Sequence, residues 1–435
     1  MEFVFDKYVY DNERQGLGLF YSCGEHKFIH IIEFPNAIDM ESLTENEKEA
    51  LDRAFFYIHL AEGINYYKAF LTEEVKHPIL TKHEADFFNL FYSNGLGELS
   101  YRNNKELPKD IFKADEEATR VLIPYEVQNN TTILVGGGKD SITSIEMLGE
   151  IDSKLLSVIT GQDKKVPVAI EDTFSISEKE KILVYRHLSP NLFDLKDVYN
   201  GHVPITGNIA FINIACSMLY GFNNIVLSNE RSANCGNIEW HGKDINHQWS
   251  KSFEFEKMFD EFIKANINPE LNYFSLLRPL SEIHIAKIFS NFTKYHQNFI
   301  SCNKTFKIND RENKWCCECD KCRFVFLMLA PFMDDLPEIF GKNLLADENN
   351  IEGYTALIGL TEHKPFDCVG EYEESIVALR MLQNSSYKYS LIVVEMNKLI
   401  DDMNINVEEL MKQQFTPSNE HIIPAEFFTE FIKWI

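Results

Sequence analysis

Gly136, Gly137, Gly138, Lys139, Asp140 and Ser141 stand in a row, a combination of types suited to holding phosphate. They follow the β-branched and apolar run from Thr131 to Val135. Ile133, Leu134 and Val135 predict a strand. A helix is expected from Ser141, with Ile142, Ile145 and Leu148 on one face and Gly149 placed to end it. Glycines without Cβ atoms let the backbone take unusual φ/ψ values and bring several N–H groups against a ligand. Those donors sit at a helix N-terminus, whose dipole favours an anion. The spacing is not that of the common P-loop, which needs GxxxxGK followed by Ser or Thr. The competing reading is a glycine-rich turn with no ligand.

A second cluster could hold a metal. Five of the nine cysteines lie between Cys302 and Cys322, and Cys316, Cys319 and Cys322 are spaced C-x-x-C-x-x-C. With Cys302 they supply four thiolates, enough to surround Zn²⁺ tetrahedrally and leave it no open position, so the ion would be structural. Cys317 breaks the spacing and reads as a bystander. The alternatives are buried reduced thiols or a redox dithiol, the latter disfavoured because nothing nearby suggests a thioredoxin-like unit.

The elements that must position these groups alternate. Leu155 to Thr160, Ile182 to Tyr185 and Ile225 to Leu227 read as strands, and Ile205 to Tyr220 as a helix, apolar nearly all round, ending before Gly221. This rhythm predicts an α/β fold, a parallel sheet covered by helices on both faces, with ligands beyond the carboxyl ends of the strands. The polar segment Ser228 to Asn237 leaves the last of those strands and should face the same cleft as GGGKDS; a plain solvated loop is the alternative. NHQWSKSFEFE, Asn246 to Glu256, follows with His247, Lys251 and Glu254, or is an ordinary amphipathic helix. Phe3 to Tyr10 and Lys27 to Phe34 are strand-like, and Glu45 to Phe70 is helical in period. An N-terminal α/β domain over 1–120, a catalytic domain over 121–345 and a C-terminal helical extension over 346–435 are expected, with Asn103 to Thr119 as connector.

Composition narrows the partners. Lys and Arg number 42 against 67 Asp and Glu, a formal charge of −25. Such an acidic balance disfavours nucleic acid as a partner. Acids within the first dozen residues, and no apolar run of about twenty residues, point to a cytoplasmic protein with no membrane partner. The oligomeric state stays open.

GGGKDS resembles the SGGxDS signature of the N-type ATP pyrophosphatases, or PP-loop enzymes, with Gly136 in place of the family serine. A similar cysteine constellation occurs in another PP-loop family, the 7-cyano-7-deazaguanine synthases. HLAEGINYYKAF (59–70), SNGLGELSYRNN (93–104), GHVPITGNIA (201–210), SNERSANCGN (228–237), NHQWSKSFEFE, WCCECDKCRFVFLMLAPF (315–332) and HKPFDCVGE (363–371) together make the chain similar, over nearly its whole length, to the UDP-N-acetyl-α-D-muramoyl-L-alanyl-L-glutamate epimerase family, MurL. The resemblance implies a reaction on a UDP-sugar dipeptide, using ATP and Mg²⁺ to invert its terminal L-glutamate through an acyl adenylate, with release of AMP and pyrophosphate. Adenylation cancels the carboxylate charge, and the α-carbon becomes acidic enough for a side-chain base.

The resemblance also implies roles. Gly136, Gly137, Gly138, Lys139 and Ser141 would hold the pyrophosphate portion of ATP, and Asp140 would position Mg²⁺. Arg278 and Lys287 are candidates to neutralise phosphate charge, with surface ion pairs as the alternative. Asn229, Glu230, Arg231 and Ser232 are candidates to grip the substrate. Cys235, His247, His363 and Cys368 are candidate acid/base groups, and the sequence does not choose among them. Two other readings compete: a different PP-loop adenylating enzyme of the deazaguanine or tRNA-modifying type, and a non-catalytic nucleotide-binding protein.

Overall fold

The computed structural model describes residues 1–304, 315–361 and 364–435. The strands are β1 (Glu2–Asp11), β2 (Gly16–Cys23), β3 (His26–Glu33), β4 (Glu74–Lys76), β5 (Thr131–Leu134), β6 (Ser153–Thr160), β7 (Lys181–His187), β8 (Asn224–Leu227), β9 (Ile238–Trp240), β10 (Lys243–Ile245) and β11 (Asn272–Ser275). Nine of them form one sheet in the order β11-β8-β5-β6-β7-β3-β2-β1-β4, and β9 and β10 form a separate hairpin. The pairings from β11 through β7 are all parallel, whereas β3 joins β7 antiparallel, with Ile31 opposite His187. The class is α/β with a mostly parallel sheet.

Successive strand residues point to opposite faces, so the sheet has two cores. Leu155, Val226 and Phe274 enter one, and their neighbours Leu156, Ile225 and Tyr273 enter the other. Helices cover both faces. The helix Ile205–Tyr220 lies in the second core and ends at Gly221 in a left-handed conformation, as its sequence predicts.

The boundary expected near residue 120 has no counterpart as a break in the sheet. Phe3, Leu19 and Phe55 share a core with Ile225 and Phe211. Helix Glu45–Glu62 opens with a reciprocal capping box between Thr44 and Glu47 and stops earlier than its apolar period suggests, at Gly63. Its last residue, Glu62, accepts two hydrogen bonds from Arg186 on β7, at 2.9 and 2.6 Å, and one from Asn208 on helix Ile205–Tyr220. Both charges are buried, so the pair ties three elements together at a point that tolerates no loss of either partner. Among the described residues the elements after residue 346 are helices, and Ile376, Leu379, Ile392 and Phe427 pack into the same core as Ile133 and Val226. Among the described residues no helix is long and apolar enough to cross a membrane.

Candidate active site

Strand order reverses at β5, since β6 lies on one side of it and β8 on the other. At such a point the connections diverge and leave a crevice beyond the carboxyl ends. A cavity of about 490 Å³ occupies it, lined by Val135, Gly136, Gly138, Asp140 and Ser141 after β5, by Leu156 to Thr160 of β6, and by Ser228, Asn229 and Glu230 after β8. The strand-turn-helix reading of GGGKDS holds, although the helix starts two residues earlier, Lys139–Met147. Its N-cap, Gly138, makes no side-chain capping bond, so the cavity meets a helix N-terminus with open N–H donors.

One of the glycines is sterically required and a second is closely packed. Gly137 has φ +76°, and a Cβ there would lie 2.9 Å from the Ala169 carbonyl carbon. A Cβ on Gly138 would meet the Ser301 hydroxyl oxygen at 2.4 Å. The turn is thus pressed against two other segments, and Ile300 donates its N–H to the Gly137 carbonyl at 3.0 Å.

Lys139 departs from expectation. Its side chain is fully buried and ion-paired to Asp140 and to Glu282, so it points into the protein instead of lining the cavity. The cations at the cavity wall are Lys251 and Lys321. Lys321 reaches Glu282 at 3.4 Å, which places one carboxylate between two lysines.

Cys368 also lines the cavity, with the Lys251 ammonium 3.6 Å from its sulfur. His247 stands behind it, hydrogen-bonded to the thiol on one side and to the Glu98 carboxylate on the other. Burial alone would raise the Cys368 pKa, but Lys251 and the His247 hydrogen bond overcome it and bring the thiol down to about 6. Burial would likewise lower His247, yet its bonds to Cys368 and Glu98 hold it up at about 9. The group is therefore a thiolate–imidazolium pair at neutral pH, backed by a carboxylate that also accepts from Arg102 at 2.5 Å. His202 packs its ring 4.1 Å from that of His247, and burial brings it down to about 3. It is a neutral neighbour.

The sulfurs of Cys302, Cys316, Cys319 and Cys322 all lie within 4.8 Å of one another. Two of the separations are 3.7 Å (Cys316 to Cys322) and 3.5 Å (Cys319 to Cys322). Four sulfurs about 2.3 Å from a tetrahedral ion stand about 3.8 Å apart, so the set suits one metal. Cys317 turns away and donates to the Phe340 carbonyl.

The chain matches the MurL N-terminal domain family over residues 1–276 and the MurL C-terminal domain family over residues 298–411. It is 36% identical over 417 residues to a protein of a Micromonospora species named UDP-N-acetyl-alpha-D-muramoyl-L-alanyl-L-glutamate epimerase, covering 93% of this chain and 91% of that one. This chain belongs to the MurL family. Proteins of the same name from Salinispora tropica and Xanthomonas oryzae pv. oryzae are 37% and 34% identical, over 83% and 86% of this chain and 80% and 84% of theirs.

On this MurL framework, the structure brings together only part of the expected site. Gly136, Gly138, Asp140, Ser141, Asn229, Glu230 and Cys368 line the cavity, with His247 behind it; Gly137 shapes the turn without lining it. Arg278 is 1% exposed, with its donors on Glu256 and on the carbonyls of Glu230 and Lys251, so it braces the cavity loops and does not meet phosphate. Lys287 is exposed, with its ammonium over the Phe415 ring and away from the cavity lining. Arg231 reaches Gln414, and Ser232 is buried outside the cavity lining. Cys235 donates to Glu371 at 2.9 Å, and burial with that carboxylate pushes its thiol up to about 12. It is neither ionised nor in the cavity wall. His363 lies outside the described residues.

Sequence reasoning missed Glu98, Lys321, Ser301 and Asn303. Lys321 carried a signal, since it sits inside the C-x-x-C-x-x-C run, next to Cys322. Glu98 carried none, standing 149 residues from His247.

Proposed function

We propose that this chain epimerises the terminal L-glutamate of UDP-N-acetylmuramoyl-L-alanyl-L-glutamate, in peptidoglycan precursor synthesis, and that it does so with ATP as a PP-loop enzyme. The observation that carries the reading is the meeting of GGGKDS and the Cys368 thiolate in one cavity at the carboxyl edge of the sheet. An anion grip and a base are the two parts that adenylation followed by α-proton removal requires.

The residues present fit the nucleotide. Pro167, Ile170 and Ile159 give the cavity an apolar wall suited to adenine, and the N-terminus of helix Lys139–Met147 with Lys251 and Lys321 gives it a cationic end suited to phosphates. Asp140 would hold Mg²⁺, which offsets charge on the pyrophosphate as it leaves. Lys139 keeps Asp140 and Glu282 in place from below, a structural part instead of the phosphate contact expected of it. The substrate carboxylate attacks the α-phosphorus of ATP, pyrophosphate departs, and the mixed anhydride withdraws electrons from the α-carbon. Deprotonation, reprotonation on the other face and hydrolysis then release the D-epimer and AMP.

Zn²⁺ at Cys302, Cys316, Cys319 and Cys322 serves this site from behind. Cys302 lies between Ser301 and Asn303, and Lys321 immediately precedes Cys322, so three cavity residues hang from the metal cluster. A nucleotide-linked sugar substrate fits a cytoplasmic setting.

The test is AMP formation from ATP with UDP-N-acetylmuramoyl-L-alanyl-L-glutamate, followed by chiral analysis of the glutamate. AMP with D-glutamate is expected. AMP release driven by tRNA or a deazapurine acid, and not by the dipeptide, would contradict the reading, as would ATP binding without turnover.

A further inference from the structure

An epimerisation needs a group to take the α-proton and a group to return one to the opposite face. The cavity offers two ionisable groups suited to this that the nucleotide does not use. One is Cys368. The other is Glu230, which follows β8 on a different segment, is 5% exposed, and lines the cavity. Among the described residues no side chain forms a hydrogen bond or ion pair with the Glu230 carboxyl, whereas its backbone carbonyl is fixed by Arg278 at 2.7 Å. A buried carboxyl with a rigid backbone and an unpaired head in a substrate cavity is not there for packing. The other acid at the cavity, Asp140, is already paired to Lys139.

We propose that Cys368 and Glu230 are the two proton-transferring groups, acting on opposite faces of the glutamate α-carbon, and that His247 and Glu98 position the thiolate. This rests on the adenylation reading above. From the L-epimer, the Cys368 sulfur forms an S–H bond as the α C–H bond breaks, and the electron pair moves into the activated carboxyl group. The Glu230 O–H then gives its proton to the other face, leaving a carboxylate. Water attacks the acyl carbon, the C–O bond to AMP breaks, and exchange with solvent returns the thiol proton and recharges the carboxyl.

The electrostatics bias the two groups in the directions these starting states need. Burial, with Glu282 and Asp140 near by, raises the Glu230 pKa, while Lys251 and Lys321 oppose that rise. Lys251, His247 and Lys321 all favour the Cys368 anion. Two groups whose surroundings push them toward opposite protonation states form an acid and a base. Cys235, the second thiol that a two-cysteine scheme would need, is absent from the cavity wall and held protonated by burial and by Glu371.

The experiment is run in deuterium oxide with ATP and Mg²⁺. With the unaltered protein, every D-epimer formed at early conversion should carry deuterium at the α-carbon, because the group that donates is not the group that abstracted. Product retaining the original protium means a single base and overturns the pair. Cys368→Ala should slow inversion by about 10²–10⁴-fold and lose α-exchange of the L-epimer while keeping that of the D-epimer. Glu230→Gln should show the reverse, and a Glu230→Gln protein that inverts at the unaltered rate also overturns the proposal. Glu98→Gln should shift the acid limb of the pH–rate profile upward, which loss of packing alone would not do. AMP release by the unaltered protein is read in the same tubes: its absence would sink the adenylation reading, whereas AMP without the expected labelling sinks only the pair.

Discussion

Replacing Lys251 with methionine should move the ionisation of Cys368 up by about three pH units. The ammonium lies 3.6 Å from the sulfur. At that distance, and with an effective dielectric constant of about 20, the attraction is about 4–5 kcal/mol, or about three pKa units. That is close to the whole net descent of the thiol from 9.0 to about 6, so Lys251 accounts for the net fall while His247 and Lys321 offset the burial that opposes it. Methionine keeps an unbranched chain of similar length and removes the charge. The assay is iodoacetamide alkylation across pH 5–10, with Cys368 quantified by peptide mass spectrometry so that the other eight cysteines do not interfere. The midpoint, not the rate at one pH, is the measure, because a more basic thiolate is intrinsically more nucleophilic and partly offsets its own scarcity. The unaltered protein should titrate near pH 6 and Lys251→Met near 9. The sign is fixed: a depressed thiol pKa adds stability that is complete above pH 9 and lost as pH falls through 6, so the unaltered protein gives up this contribution on acidification. A midpoint near 6 in both proteins, or near 9 in both, would refute the electrostatic account of the thiolate.

Glu62→Ala should destabilise the fold by about 3–5 kcal/mol, since it strands the buried Arg186 guanidinium, and urea unfolding measures it. Gly137→Ala should cost about 1–3 kcal/mol and slow AMP release, because a left-handed φ and the Ala169 backbone leave no place for a methyl group; thermal denaturation and nucleotide chromatography read the two effects. Metal analysis should find one zinc per chain, and Cys319→Ala should lose it together with nucleotide turnover, since three cavity residues adjoin the cluster.

What could be read from the sequence followed the range of the interactions. The turn after β5 and the polar exit from β8 were legible because strand, glycines and helix start are neighbours in the chain, and because loops at the carboxyl ends of parallel strands converge. The direction of Lys139 was not, since Glu282, 143 residues away, captures its side chain. The continuity of the sheet across residue 120 was hidden for the same reason: it depends on pairing Ile31 with His187, which no local pattern announces. Telling the two thiols apart required the fold, because Cys235 and Cys368 look alike as letters, and the structure places one against Glu371 and the other against Lys251.

On the reading proposed above, ATP activates the glutamate before its α-proton leaves. Substrate incubated with the protein in deuterium oxide should gain α-deuterium only when ATP and Mg²⁺ are both present, and the α,β-methylene analogue of ATP, which cannot pass on AMP, should support neither exchange nor inversion. Deuterium uptake with that analogue, or with no nucleotide, would show that deprotonation precedes activation and contradict the account.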